Sequence, residues 1–258
     1  MVFLKNVFIL FWRLWFFLWA FTTVLILLPV LVIVISKSKW YPIYYNIARI
    51  WAKTILFIMG FWTKIELEEF PEKNKSYMFC PNHTSMIDIM LLLSITKNPF
   101  VFVGKKELGN FPFFGYIYKR TSILVDRNDS QSRVKVFKAA QNCIKNNLSI
   151  CIFPEGKVPD DESIVLDPFQ NGVFRLAIEN QIPIVPMTFF DCKKRFSYTF
   201  FSGRPGELRV KIHDFISTKG ATLSDRNILK NKIYNVIRNS LLEDKSYMKS
   251  TLTSKTNH

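Results

Sequence analysis

Seven residues, Asn82-His83-Thr84-Ser85-Met86-Ile87-Asp88, follow the apolar run Tyr77–Cys80 and open a second run, Met86–Ile95. A histidine and a carboxylate are thus placed where a strand turns into a helix. Imidazole is the side chain best suited to take a proton near neutral pH, and a carboxylate one helical turn away fixes its tautomer and stabilises the imidazolium. His83 and Asp88 read as a general-base dyad. Taken alone, the spacing fits equally a capping histidine followed by an ordinary first-turn acid.

Three further elements carry charge or a tight turn. Lys105 and Lys106 precede Asn110–Gly115, and Arg127 ends Val125-Asp126-Arg127 directly after a strand-like run. A guanidinium offers a planar fork matched to phosphate oxygens and lysine adds a point charge, so the two together suit a phosphomonoester. The plainer alternative pairs Arg127 with Asp126 or Asp129 at the surface. Phe153-Pro154-Glu155-Gly156 also closes an apolar run, where Gly156 permits a sharp turn that brings backbone amides to a ligand. Glu155 there is suited to receive a hydroxyl or a basic side chain, although such a tetrapeptide can be a simple turn. Ile184-Val185-Pro186-Met187 shapes a rim or ends an edge strand.

The elements that must position these residues follow from periodicity. Short β-branched or aromatic runs occur at Tyr77–Cys80, Phe100–Val103, Ser122–Val125, Ser149–Phe153, Pro183–Phe190 and Leu208–Phe215. Between them Met86–Ile95, Ser130–Asn146 and Gly172–Asn180 have helical spacing, which predicts an α/β sheet layered with helices. A last helix starts near Ser224, with Ile228, Leu229, Ile233, Val236, Ile237 and Leu241 on one side. In such sheets, sites gather at strand ends. A linker over Glu68–Ser76 and a disordered polar tail over 245–258 complete the expected layout.

The chain has 258 residues, enough for one catalytic domain, expected over 66–244. Its formal charge of +15 attracts a polyanion or an anionic surface. All 6 Trp and 8 of the 25 Phe lie in the N-terminal quarter rather than interleaving with Lys and Arg along the chain, which favours a membrane over nucleic acid. Leu14–Ile35 is 22 residues without a charge, and as a helix of about 33 Å it would cross a bilayer core. Pro29 leaves a membrane-embedded hairpin as an alternative. Trp40–Trp62, with Arg49 and Lys53 among aromatics, reads as interfacial or as packed on the domain core. Residues 1–65 are therefore expected to anchor the chain, and Lys37, Lys39, Arg49 and Lys53 place the bulk of it on the cytoplasmic face, the inner membrane in a bacterium. Cys80, Cys143, Cys151 and Cys192 lack zinc or disulfide spacing, and the apolar flanks of Cys80 predict an inert thiol.

In this order the motifs resemble the glycerophospholipid acyltransferase family, specifically 1-acylglycerol-3-phosphate acyltransferases, which make phosphatidic acid. The resemblance spans about half the chain, from Asn82-His83 and Asp88 through Gly104–Leu108, Phe111–Gly115, Val125–Arg127 and Phe153–Gly156 to Val185-Pro186. It implies an αβα acyltransferase domain with a mixed central sheet and an N-terminal helical element on or in the membrane. His83 would be the general base and Asp88 its partner; Arg127 and the Glu155-Gly156 turn would hold the glycerol phosphate, with Lys105 a further phosphate ligand. The implied partners are lysophosphatidic acid in the membrane and an acyl thioester of acyl carrier protein or coenzyme A as co-substrate, with no metal, no cofactor and no nucleic acid. One departure stands out. Family members often continue Phe-Pro-Glu-Gly with Thr-Arg, where this chain has Lys157-Val158, and lysine lacks the bidentate geometry of arginine. Another lysolipid acceptor, such as a lyso-ornithine lipid, therefore stays open, as does a non-catalytic protein that binds anionic membrane surfaces.

Overall fold

The computed structural model describes residues 2–111, 114–126, 129–159, 161 and 163–255. Two helices lead. α1 (Val2–Val34) is apolar on every side and passes through Pro29 without a break. A short 3-10 turn, Ser38–Trp40, joins it to α2 (Tyr41–Ile58), which has a proline in its first turn, where the missing N–H costs nothing. The remaining elements are β1 (Phe61–Leu67), β2 (Met78–Pro81), α3 (Ile87–Ile95), β3 (Phe100–Lys105), α4 (Phe114–Thr121), β4 (Ser122–Val125), α5 (Ser130–Lys145) and β5 (Ser149–Cys151), then α6 (Gly172–Glu179), β6 (Ile184–Phe189), α7 (Cys192–Arg195), β7 (Gly206–Ile212), α8 (Arg226–Glu243) and α9 (Lys245–Lys255).

The seven strands form one sheet in the order β1-β7-β6-β2-β5-β3-β4. All neighbours are parallel except β6 and β7, so the sheet is mixed, as expected. β2 and β6 are buried at every residue, which marks them as central strands covered on both faces. Their alternation sorts the core into two layers. Phe79, Val185 and Met187 face one cluster with Phe16 of α1, Tyr45 and Ile55 of α2 and Leu91 of α3. Met78, Cys80 and Ile184 face the other, with Val136 of α5, Phe174 of α6 and Ile233 and Ile237 of α8. This is an αβα sandwich in which alternate residues along the central strands β2 and β6 serve opposite layers.

Four expectations change. The tail is not disordered up to residue 255: Asp244 Oδ1 accepts from the Tyr247 amide and starts α9, and the Tyr247 hydroxyl donates to the Val165 carbonyl at 2.8 Å. The boundary at residue 65 falls inside β1, whose whole length pairs with β7. The Trp40–Trp62 stretch divides: α2 buries Tyr45, Ala52, Ile55 and Leu56 on the core, while Phe61 and Trp62 open β1. Ile228 is exposed because the buried stripe of α8 is narrower than its apolar pattern, running through Ile233, Ile237 and Leu241 at intervals of four.

α1 is long and apolar enough to cross a membrane over Phe3–Val34. It contacts the rest of the chain along its length: the Trp12 indole donates to the Met59 carbonyl and packs on Phe61 and Phe196, the Trp51 indole of α2 donates to Thr23 at 2.8 Å, and Leu31 and Val34 near its end are buried.

Candidate active site

β2, β5, β3 and β4 are adjacent and parallel, so the loops leaving their carboxyl ends share one edge of the sheet. Of the sequence-predicted residues, His83 follows β2, Glu155 and Gly156 follow β5, and Lys105 closes β3 at that edge. Arg127 itself lies outside the described residues, as do Pro112 and Phe113.

The dyad is formed. His83 Nδ1 and Asp88 Oδ2 are 2.8 Å apart, and the amides of Thr84 and Ser85 donate to the same oxygen at 2.6 and 2.8 Å. A carboxylate receiving two amide donors is an acceptor toward its third neighbour, which puts the imidazole proton on Nδ1 and leaves Nε2 with its lone pair. Asp88 is fully buried, whereas His83 keeps some exposure. Steadied from within, the imidazole keeps its outer side exposed.

Three contacts hold the ring and its loop. Phe153 stacks on the imidazole, with centroids 4.0 Å apart and planes at 19°, and lies parallel to Phe102 at 6.2 Å. Asn82 exchanges hydrogen bonds with the backbone of Phe189, tying the residue before the histidine to the end of β6. Glu155 makes the third. Its Oε1 accepts from the His83 amide at 2.7 Å and its Oε2 from the Asp167 amide at 3.0 Å. Burial pushes this carboxyl up to about 8; the two amides oppose the rise, while Asp167 and Asp88 add to it. Phe153 and Asn82 belong to recognisable motifs, but no local pattern signals that one covers the ring and the other bridges to β6.

Gly156 sits at φ +80° beside a 3.1 Å bond from its amide to the Phe153 carbonyl, a turn open to glycine. Lys105 is exposed, and its neighbour Lys106 reaches Asp126 at 3.7 Å. These two cations are thus exposed, Lys105 closing β3 and Lys106 opening a 3-10 turn. Cys80 is fully buried and burial raises its thiol well above the ordinary range, so it is a poor nucleophile. Among the described residues no group of three His, Cys, Asp or Glu side chains is placed to hold a metal ion.

A family model described as Acyltransferase matches residues 63–189, a stretch that carries the dyad, Lys105, Arg127 and the Glu155 turn. An uncharacterized acyltransferase of Schizosaccharomyces pombe is 30% identical over 84% of this chain and 79% of its own length. This chain belongs to the acyltransferase family. It is also similar to a Caenorhabditis elegans protein named a putative 1-acyl-sn-glycerol-3-phosphate acyltransferase, at 34% identity over 56% of the chain, and to the human 1-acyl-sn-glycerol-3-phosphate acyltransferase beta, at 30% over 62%. These matches span 51% and 58% of those relatives' lengths. The crystal structure of the 1-acyl-sn-glycerophosphate acyltransferase from Thermotoga maritima superposes with a TM-score of 0.72 over 93% of this chain and 96% of that one, at 17% identity. That likeness fixes the fold of this family member, sheet and N-terminal helices together.

Proposed function

We propose that the chain transfers a fatty acyl group from an acyl thioester to the free hydroxyl of 1-acylglycerol-3-phosphate, giving phosphatidic acid for phospholipid synthesis. The observation that carries this reading is the His83–Asp88 pair at 2.8 Å, at the edge of the sheet where the motif loops meet. The names of the relatives support the acceptor.

A glycerol hydroxyl is a poor nucleophile at pH 7 and must lose its proton as it attacks. His83 Nε2 takes that proton while Nδ1–H donates to Asp88, and the acceptor oxygen bonds to the thioester carbonyl carbon. The tetrahedral intermediate expels the thiolate, which recovers the proton from His83. Arg127, Lys105 and the Gly156 turn hold the acceptor phosphate. Glu155 acts through the loop: with both oxygens on backbone amides, it fixes the height of His83 rather than touching the phosphate. The donor is acyl carrier protein or coenzyme A, and both are anionic partners for a chain of charge +15. The cations after α1 favour a catalytic domain on the cytoplasmic face.

Purified protein offered lysophosphatidate, lyso-ornithine lipid and uncharged lysolipids with each thioester tests the reading. The expected result is turnover confined to acceptors bearing a phosphomonoester. Turnover of lyso-ornithine lipid alone would transfer the assignment to that acceptor, with Lys157 as the residue to examine first.

A further inference from the structure

A second apolar surface stands beside the dyad, far in sequence from α1. Phe196 is buried between Trp12 and Phe16 of α1, with ring centroids 5.5 and 4.6 Å away, and its carbonyl accepts a hydrogen bond from the hydroxyl of Ser85, three residues before Asp88. From this bolt the chain makes a turn over residues 197–203. Arg13 closes it: the guanidinium, buried although it belongs to an apolar helix, donates to the carbonyls of Ser197, Thr199 and Ser202 at 2.7, 3.2 and 3.0 Å and lies over the rings of Phe196 and Phe200. The hydroxyls of Ser197 and Ser202 meet at 2.5 Å, and the Thr199 amide donates to Ser197 Oγ.

The turn therefore satisfies much of its backbone internally and points its rings outward. Tyr198, Phe200 and Phe201 are 54, 46 and 51% exposed, and exposed Arg204 follows them. A loop enters the apolar edge of a bilayer more readily when its carbonyls have partners other than water, and here those of Ser197, Thr199 and Ser202 do. Aromatic rings followed by a cation are the composition that settles at headgroup level. The surface also continues α1: Phe17, half exposed, packs edge-on against Phe16, which carries Phe196. Tyr198 lies near enough to the dyad for Asp88 to add to the rise that burial gives its hydroxyl.

We propose that the turn over 197–203 is a second membrane contact, which sets Tyr198, Phe200 and Phe201 into the bilayer interface beside His83 and Asp88 and takes the acyl chain of the acceptor from the membrane there. The contact itself rests on the geometry of Arg13 and the three rings; its role in taking up acceptor rests on the proposed acyl transfer.

Two measurements on the full chain separate these parts. A nitroxide on Phe201→Cys, in a Cys143→Ala background, is examined by power saturation in phosphatidylcholine–phosphatidylglycerol vesicles. Oxygen should relax the label and a nickel chelate should not, in contrast to a label on Lys219→Cys. A label as open to the nickel chelate as that control overturns the contact, and so does one shielded from both reagents, which would mean a protein partner. Phe200→Ser with Phe201→Ser should then raise the acceptor KM on vesicles by roughly three- to tenfold and leave the thioester KM unchanged. An unchanged acceptor KM overturns the uptake role. The label reads depth without turnover, so an inactive protein with a lipid-immersed turn would sink the acyl-transfer reading and spare the contact.

Discussion

The two halves of the site are built differently. On the side of β2 and β5, Asp88 and Glu155 are buried, and His83, Thr84, Ser85 and Asp167 supply hydrogen bonds to three of their oxygens. On the side of β3 and β4, Lys105 is exposed and the Lys106–Asp126 pair stands in water, where such pairs contribute little. The base must be held in one tautomer and one place, which needs a preorganised dry shell. An anionic headgroup needs only a field of cations, which tolerates motion. Under the proposed acyl transfer, chemistry falls to the rigid half and recognition to the soft one.

That contrast is broken most severely at the base. His83→Ala removes the proton acceptor and should lower kcat by roughly 10³-fold, within the range for general-base catalysis. Vesicle flotation should be unchanged, because α1 and the aromatic turn do not depend on the imidazole. Normal transfer by this variant would reverse the assignment of the rigid half.

The soft half should respond in KM instead. Arg127→Ala is expected to raise the KM for the acceptor by roughly ten- to a hundredfold, the scale of one lost charge-assisted contact, with the thioester KM nearly constant. Lys105→Ala should act in the same direction and more weakly, since lysine is a point charge without the guanidinium fork. Equal losses for both substrates would move Arg127 out of the acceptor pocket.

The difference between the halves also governs what the sequence could tell. His83 and Asp88 were legible because both ends of their hydrogen bond lie within one turn of chain. The central strands were legible because Met78–Pro81 and Ile184–Phe189 are apolar throughout. Glu155 was legible as a residue of interest but not in its role, since the amide it receives is 72 residues away. Arg13 reads in sequence as a lone charge before an apolar run, and its partners lie more than 180 residues on. β1 was missed because its first two residues, Phe61 and Trp62, end an aromatic stretch that read as interfacial or core-packed, and only its pairing with β7 makes Phe61–Leu67 a strand. α9 was missed because a polar helix held by one buried tyrosine carries almost no periodic signal. Contacts that close locally are written in the sequence; those that close across the sheet are not.

Glu155 offers a pH test of the rigid half. Its carboxyl is pushed from an ordinary 4.5 up to about 8 by burial. Between those values the folded chain holds a proton that the unfolded chain releases, so the stability contributed is full below pH 4.5 and is lost as pH rises through 8. Glu155→Gln should flatten that slope in denaturant titrations. It should also lower kcat by about tenfold above pH 8, where the ionised carboxylate accepts from both the His83 and Asp167 amides and a carboxamide would turn its NH₂ against one of them. A slope of unchanged size in the variant would assign it to another group.

The smallest effect sharpens the boundary between the halves. Phe153 belongs to the same motif as Glu155 and touches only the face of the imidazole, so it positions the ring without joining its hydrogen bonds. An aromatic stack of this kind contributes about 0.5–1.5 kcal/mol beyond burial, so Phe153→Leu should cost roughly two- to tenfold in kcat. The acceptor KM should not move, since no phosphate ligand is lost. A change in acceptor KM with kcat intact would place Phe153 on the recognition side and redraw the line between the two halves through the middle of its own motif.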